Sequence, residues 1–138
     1  MEEKIFSIPV EIIHGSAQID LIVSVGASIG SAIEKVMDKY KSSFMLEDIS
    51  SGDCVAFTSE IYKSKNNSKH IVICLDASKH ASKVDIVDSV IHETTHAVLK
   101  MYDHSGANFT DNTESYTEFY AYPIGNLSAK ILKELELV

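Results

Sequence analysis

Hydrophobic and polar positions along the chain divide it into alternating strand-like and helix-like segments. Ile5 to Ile13 alternates loosely and is rich in β-branched residues, which predicts a strand closed by His14-Gly15. Ile19 to Val25 is a second apolar run whose type the pattern leaves open. From Ser28 to Tyr40 the apolar residues Ile29, Ala32, Ile33, Val36, Met37 and Tyr40 recur at spacings of three and four, with Glu34, Lys35, Asp38 and Lys39 opposite them. That period predicts an amphipathic helix packed on a core. Gly26-Ala27-Ser28-Ile29-Gly30 precedes it but lacks the lysine of a phosphate-binding loop.

Ser50 to Asp53 reads as a turn, Cys54 to Tyr62 as a strand, and Ser64 to Lys69 as a polar tip around Asn66-Asn67. His70 to Asp76, with its continuous Ile71-Val72-Ile73-Cys74-Leu75, is the strongest strand signal in the chain. The two strands should form an antiparallel hairpin. After a polar connection, Lys83 to Tyr102 has the period of a long helix. Val84, Val87, Ile91, Val98 and Met101 are expected to mark its buried stripe, with Asp85, Ser89, His92 and His96 on a neighbouring stripe. Asp103 to Thr113 reads as a loop. Thr113 can cap a final helix that starts with acidic Glu114, and Pro123 and Gly125 should kink or interrupt that helix. Leu127 to Leu137 resumes as an amphipathic tail.

The predicted long helix carries His92-Glu93-Thr94-Thr95-His96, an H-E-x-x-H sequence. Positions i and i+4 share a helix face, so both imidazoles can reach one ion. Zinc suits imidazole nitrogen and favours four-coordination. Glu93 lies about 100° round the helix from His92, beside the ion, where it can act on a water held there. Apolar residues flank the motif: Val90 and Ile91 before it, Ala97-Val98-Leu99 after it.

A catalytic zinc needs a third protein ligand and one open position. His104 follows the helix too closely to fold back. Glu114 and Glu118 are the better candidates, four apart on one helical face, and 17 residues separate His96 from Glu114. That length lets the chain turn and bring an antiparallel helix back to the ion. Either glutamate can supply the ligand on this argument.

Together these residues resemble the gluzincins, the thermolysin-like branch of zinc metallopeptidases, in which H-E-x-x-H precedes a helix of the form E-x-x-[S/T]-[D/E]. Glu114, Thr117 and Glu118 match that spacing. The resemblance implies Glu114 as the zinc ligand, Glu118 as the acid that hydrogen-bonds His92, and Glu93 as general base; the other register makes Glu118 the ligand. It spans about Ile71 to Leu127, and its element order is also similar to compact zincin-like peptidases of phage and prophage genomes. No histidine after Glu118 matches the group that holds the transition state in larger relatives, which leaves Tyr116, Tyr120 and Tyr122 as candidates. The implied fold is α+β: one compact zincin-like domain over residues 1–138, with a small, mainly antiparallel sheet packed on the active-site helix and a ligand-bearing C-terminal helix. The implied activity is zinc-dependent peptide hydrolysis, with Ile71–Leu75 aligning an extended substrate if it is an edge strand.

Composition narrows the alternatives. The chain has 138 residues, 45% hydrophobic and 23% charged, enough for one core without disulfides. A formal net charge of −8, with no basic stripe, argues against nucleic-acid partners. Lys63, Lys65 and Lys69 fit a solvated hairpin tip. Two cysteines, Cys54 and Cys74, make no disulfide framework and read as apolar strand residues of a reducing compartment. No apolar stretch approaches the ~20 residues of a membrane span and no secretory signal is visible, so the expected location is cytoplasmic. The expected partner is a peptide or protein substrate, with oligomeric state open and a partner chain conceivable as a second cleft wall. Two rival readings keep the zinc: a non-catalytic interaction or assembly protein of phage or prophage origin, and an amidase acting on a non-protein substrate.

Overall fold

A computed structural model describes residues 1–11, 18–44, 54–63, 69–105 and 113–138, with only the backbone described at 11, 18, 42–44, 62–63, 69, 104–105 and 113–118. In chain order the elements are β1 (Lys4–Glu11), β2 (Gln18–Gly26), α1 (Ile29–Tyr40), β3 (Ser42–Phe44), β4 (Ala56–Lys63), β5 (Lys69–Asp76), a 3-10 turn (Ala77–Lys79), α2 (Lys83–Ser105) and α3 (Thr113–Glu134). The architecture is α+β. The sheet runs β1-β2-β5-β4-β3, with β2 and β5 parallel and the other pairings antiparallel.

The two apolar runs that looked least alternating, β2 and β5, lie inside this sheet. Each is covered on both faces, which is why Ile71–Leu75 shows no polar side; β2 carries Asp20 and Ser24 on the face that also holds Ile22. Leu21, Val23, Val25, Ile71, Ile73 and Leu75 point to one face, where they pack with Val90, Ala97 and Val98 of α2 and Leu127 and Ile131 of α3. Ile22, Val72 and Cys74 point to the other and pack with Ala32 and Val36 of α1. The order is therefore three layers, with α1 on one side and α2 and α3 on the other. β1, which holds Pro9, sits at an edge, where a missing N–H is tolerated.

The central place of β5 corrects one expectation. Ile71–Leu75 is not an edge strand: β2 and β4 occupy its two sides, so it has no backbone groups left to align a substrate. The strong apolar signal of this strand reflects burial on both faces.

Local chemistry fixes α1 against the sheet. Ser28 caps the helix by accepting the Ser31 N–H at 3.0 Å, and Ser24 of β2 donates to the Ala32 carbonyl at 2.8 Å. Gly26 makes this approach feasible. A Cβ there would lie 2.4 Å from the Ala32 nitrogen, so the glycine serves helix–strand packing.

Two further expectations change in the helices. Val84 and Ile91 are exposed, at 76% and 45%, and do not belong to the buried stripe of α2. That stripe is Ile86, Val90, Glu93, Thr94, Ala97, Val98, Met101 and Tyr102. Hydrophobicity alone set the register wrongly, because a glutamate and a threonine occupy inward positions. Second, α3 is continuous through Pro123 and Gly125. Proline withholds the N–H that would bond the carbonyl four residues earlier, which is that of Phe119. The hydroxyl of Tyr102 on α2 donates to that carbonyl instead. A tertiary contact thus replaces the hydrogen bond that proline removes and lets the helix run on.

Smaller differences are shifts of boundary. α2 extends to Ser105, into the expected loop, and Thr113 is the first residue of α3 rather than its cap. The predicted turn at Ser50–Asp53, the polar tip around Asn66-Asn67 and the remainder of the loop, 106–112, lie outside the described residues. Cys54 and Cys74 are free thiols, and burial pushes that of Cys74 far up. Among the described residues, no helix is long and apolar enough to cross a membrane.

Candidate metal centre

α2 is set on the sheet by bonds at its N-terminus. Ser82 and Asp85 form a reciprocal capping box: the Asp85 N–H donates to Ser82 Oγ at 3.3 Å, and the Ser82 N–H donates to Asp85 Oδ2 at 3.2 Å. His80 ties the incoming segment to both neighbours. Its Nδ1 lies 2.6 Å from the Asp76 carbonyl at the end of β5, and its Nε2 lies 2.8 Å from Ser89 Oγ on α2.

Ten residues into the helix come His92 and Glu93, and one turn later His96. Thr94 and Thr95 lie between Glu93 and His96. Both histidines are exposed. Their rings meet edge to face with centroids 4.9 Å apart, and the two Nε2 atoms are 3.2 Å apart. Two nitrogens each about 2.0–2.1 Å from one tetrahedral zinc would be separated by about 3.3–3.4 Å. The observed spacing is close to that edge, and an N–H···N bond between the rings holds the same spacing when one is protonated at Nε2. Glu93 completes a cluster in which one potential ligand atom from each of the three residues lies within 4.8 Å of the others. These residues can hold a metal ion.

Glu93 is unlike the two histidines. It is only 5% exposed and faces β4, where Thr58 Oγ1 lies 3.2 Å from its Oε2 and 3.0 Å from its main-chain carbonyl. Burial raises its pKa above the ordinary value; the Thr58 hydrogen bond, His92 and His96 pull the other way and are outweighed. A carboxyl poised in this way is suited to taking and returning a proton. Two turns along the same flank, Lys100 pairs with Glu60 of β4 at 3.9 Å.

The other predicted site residues divide. Glu114, Tyr116 and Glu118 lie in the first two turns of α3, and their side chains are outside those described. Helix α3 packs against α2 near this end through the Tyr102–Phe119 bond. Tyr120 sets its ring edge-on to Tyr102, with centroids 5.1 Å apart and planes at 81°. Tyr122 is 76% exposed. Thr58 and His80 were not anticipated. Thr58 sits in a strand that the pattern identified, but a hydroxyl there has no signature of its own. The Ser82-x-x-Asp85 spacing was available as a capping signal.

Comparison of the chain with protein-family models, with curated proteins and with solved structures finds no match.

Proposed function

We propose that the protein is a zinc-dependent peptidase of zincin type. The observation that carries this reading is the cluster on α2: two exposed imidazoles with nitrogens 3.2 Å apart, beside a buried carboxylate whose proton affinity is raised. His92 and His96 supply two zinc ligands and Glu114 the third, with Glu118 holding the His92 ring; the alternative register exchanges the two glutamates. Zinc, when bound, supplies Lewis acidity that makes a water nucleophilic near neutral pH and polarises the scissile carbonyl. Glu93 takes the proton from that water and passes one to the leaving nitrogen. Its burial favours this work, because a carboxylate of ordinary pKa would be too weak a base to take the proton and too strong an acid to keep it between the two transfers.

The substrate lies on the β4 flank of α2, the side that Glu93 faces through Thr58. This replaces the idea that β5 aligns the substrate. A tyrosine of α3 is a candidate to stabilise the developing oxyanion. Tyr120 already packs on Tyr102, which favours Tyr116 and Tyr122 for that role.

The test is digestion of an internally quenched peptide library by zinc-loaded protein, with Glu93→Gln as control. The reading expects cleavage by the parent chain and none by the variant at equal zinc content. Absence of cleavage at every metal loading, or equal cleavage by both proteins, would refute it. The former outcome with zinc bound would favour a zinc-containing interaction protein.

A further inference from the structure

We propose that Thr58 is a positioning residue for Glu93, holding one carboxylate oxygen against β4 so that the other faces the water to be activated. This rests on the reading of Glu93 as general base.

Side chains alternate across β4. Ala56, Thr58 and Glu60 share one face of the strand, the face on which α2 packs. Ala56 packs against the core there, Thr58 meets Glu93, and Glu60 meets Lys100. Residues 93 and 100 are two helical turns apart, so these polar contacts pin α2 at two points along one flank. They set the roll of the helix about its own axis. That roll decides whether Glu93 is buried beside the ion-binding pair or swings out with it.

A glutamate side chain has three rotatable bonds and would sample many positions if nothing held it. Thr58 Oγ1 is 3.2 Å from Oε2 and 3.0 Å from the main-chain oxygen of the same residue. One hydroxyl proton thus has two acceptors on Glu93. When the carboxyl is ionised, the proton can be given to Oε2. When Glu93 carries on its other oxygen the proton taken from water, Oε2 and the main-chain carbonyl both remain acceptors for the Thr58 proton. A hydroxyl can serve both states; a methyl in the same place can serve neither, although it fills the same volume. β-branching restricts χ1 of Thr58, which keeps Oγ1 aimed at the helix.

The experiment compares Thr58→Val and Thr58→Ser with the parent and with Glu93→Gln, on a peptide that the parent cleaves, measuring kcat, KM and bound zinc. Loss of a hydrogen bond to a charged group should lower kcat of Thr58→Val by about 10- to 100-fold. KM and zinc content should be unchanged, and Thr58→Ser should restore most of kcat. Thr58→Ala repeats the comparison if the valine variant does not fold. Full kcat in the valine and alanine variants, equal losses in valine and serine, or loss of zinc would each overturn the proposal while leaving the peptidase reading intact. If Glu93→Gln cleaves that peptide as fast as the parent, the reading of Glu93 as general base itself fails, and the role of Thr58 with it.

Discussion

Replacing Tyr102 by phenylalanine removes a single oxygen from the contact between the two long helices. The hydroxyl donates to the Phe119 carbonyl, the group to which Pro123 can offer no N–H. Tyr102 is 5% exposed, so water cannot readily take over. Losing the donor to a buried carbonyl should cost about 1–2 kcal/mol. For a chain of this length, unfolding entropy makes each kcal/mol worth about 3–4 °C, so the melting temperature should fall by about 3–8 °C. The local cause can be isolated with Pro123→Ala. Alanine returns an N–H to the helix and gives the Phe119 carbonyl an internal donor, so the same loss of hydroxyl should then cost less. A double-mutant cycle followed by thermal or urea unfolding should therefore show a coupling of about 1 kcal/mol. A melting temperature unchanged by Tyr102→Phe, or an equal cost in both backgrounds, would refute the compensation argument. The contact lies next to Glu118 in sequence, so the tyrosine variant should also bind zinc more weakly if α3 supplies the third ligand.

Other outcomes follow from the same geometry. Glu93→Gln should retain zinc and lose about 100-fold or more of its turnover, measured by peptide hydrolysis alongside metal analysis. Zinc at about 100 times its dissociation constant should stabilise the parent by about 2.7 kcal/mol, seen as a rise in melting temperature that His96→Ala abolishes. In metal-free protein, the raised pKa of Glu93 means that the unfolded chain releases this proton first as pH rises. The Glu93 contribution is therefore intact below the ordinary value of 4.5 and is lost as pH climbs through the higher folded value. His92 and His96 also face this group, so the difference between parent and Glu93→Gln in urea unfolding is the quantity to follow: the variant should gain on the parent with rising pH. Gly26→Ala should cost at least about 1–3 kcal/mol in urea unfolding, because its Cβ would meet the backbone of α1.

Much of this was legible in the residues, for definable reasons. Local period placed α1 and α2 to within a few residues, because their patterns agree with where they pack. The metal-binding pair was legible because helix geometry alone makes i and i+4 neighbours. What failed depended on partners distant in sequence. β5 looked like a strand but not like a central one, since a run buried on both faces does not name its neighbours. The inward stripe of α2 was misread because Glu93 and Thr94 face inward while Val84 and Ile91 do not. Pro123 looked like a break because its compensation comes from Tyr102, on another helix. Thr58 was invisible for the same reason: its importance lies in a contact 35 positions away.

The most direct test of the zinc site is anomalous diffraction at the zinc edge from crystals of the parent chain grown with the metal. The account predicts one ion, about 2.0–2.1 Å from both Nε2 atoms of His92 and His96, with a glutamate of α3 as third protein ligand and Glu93 beside the ion without ligating it. An ion bound elsewhere, or no peak between the two histidines at saturating zinc, would contradict it.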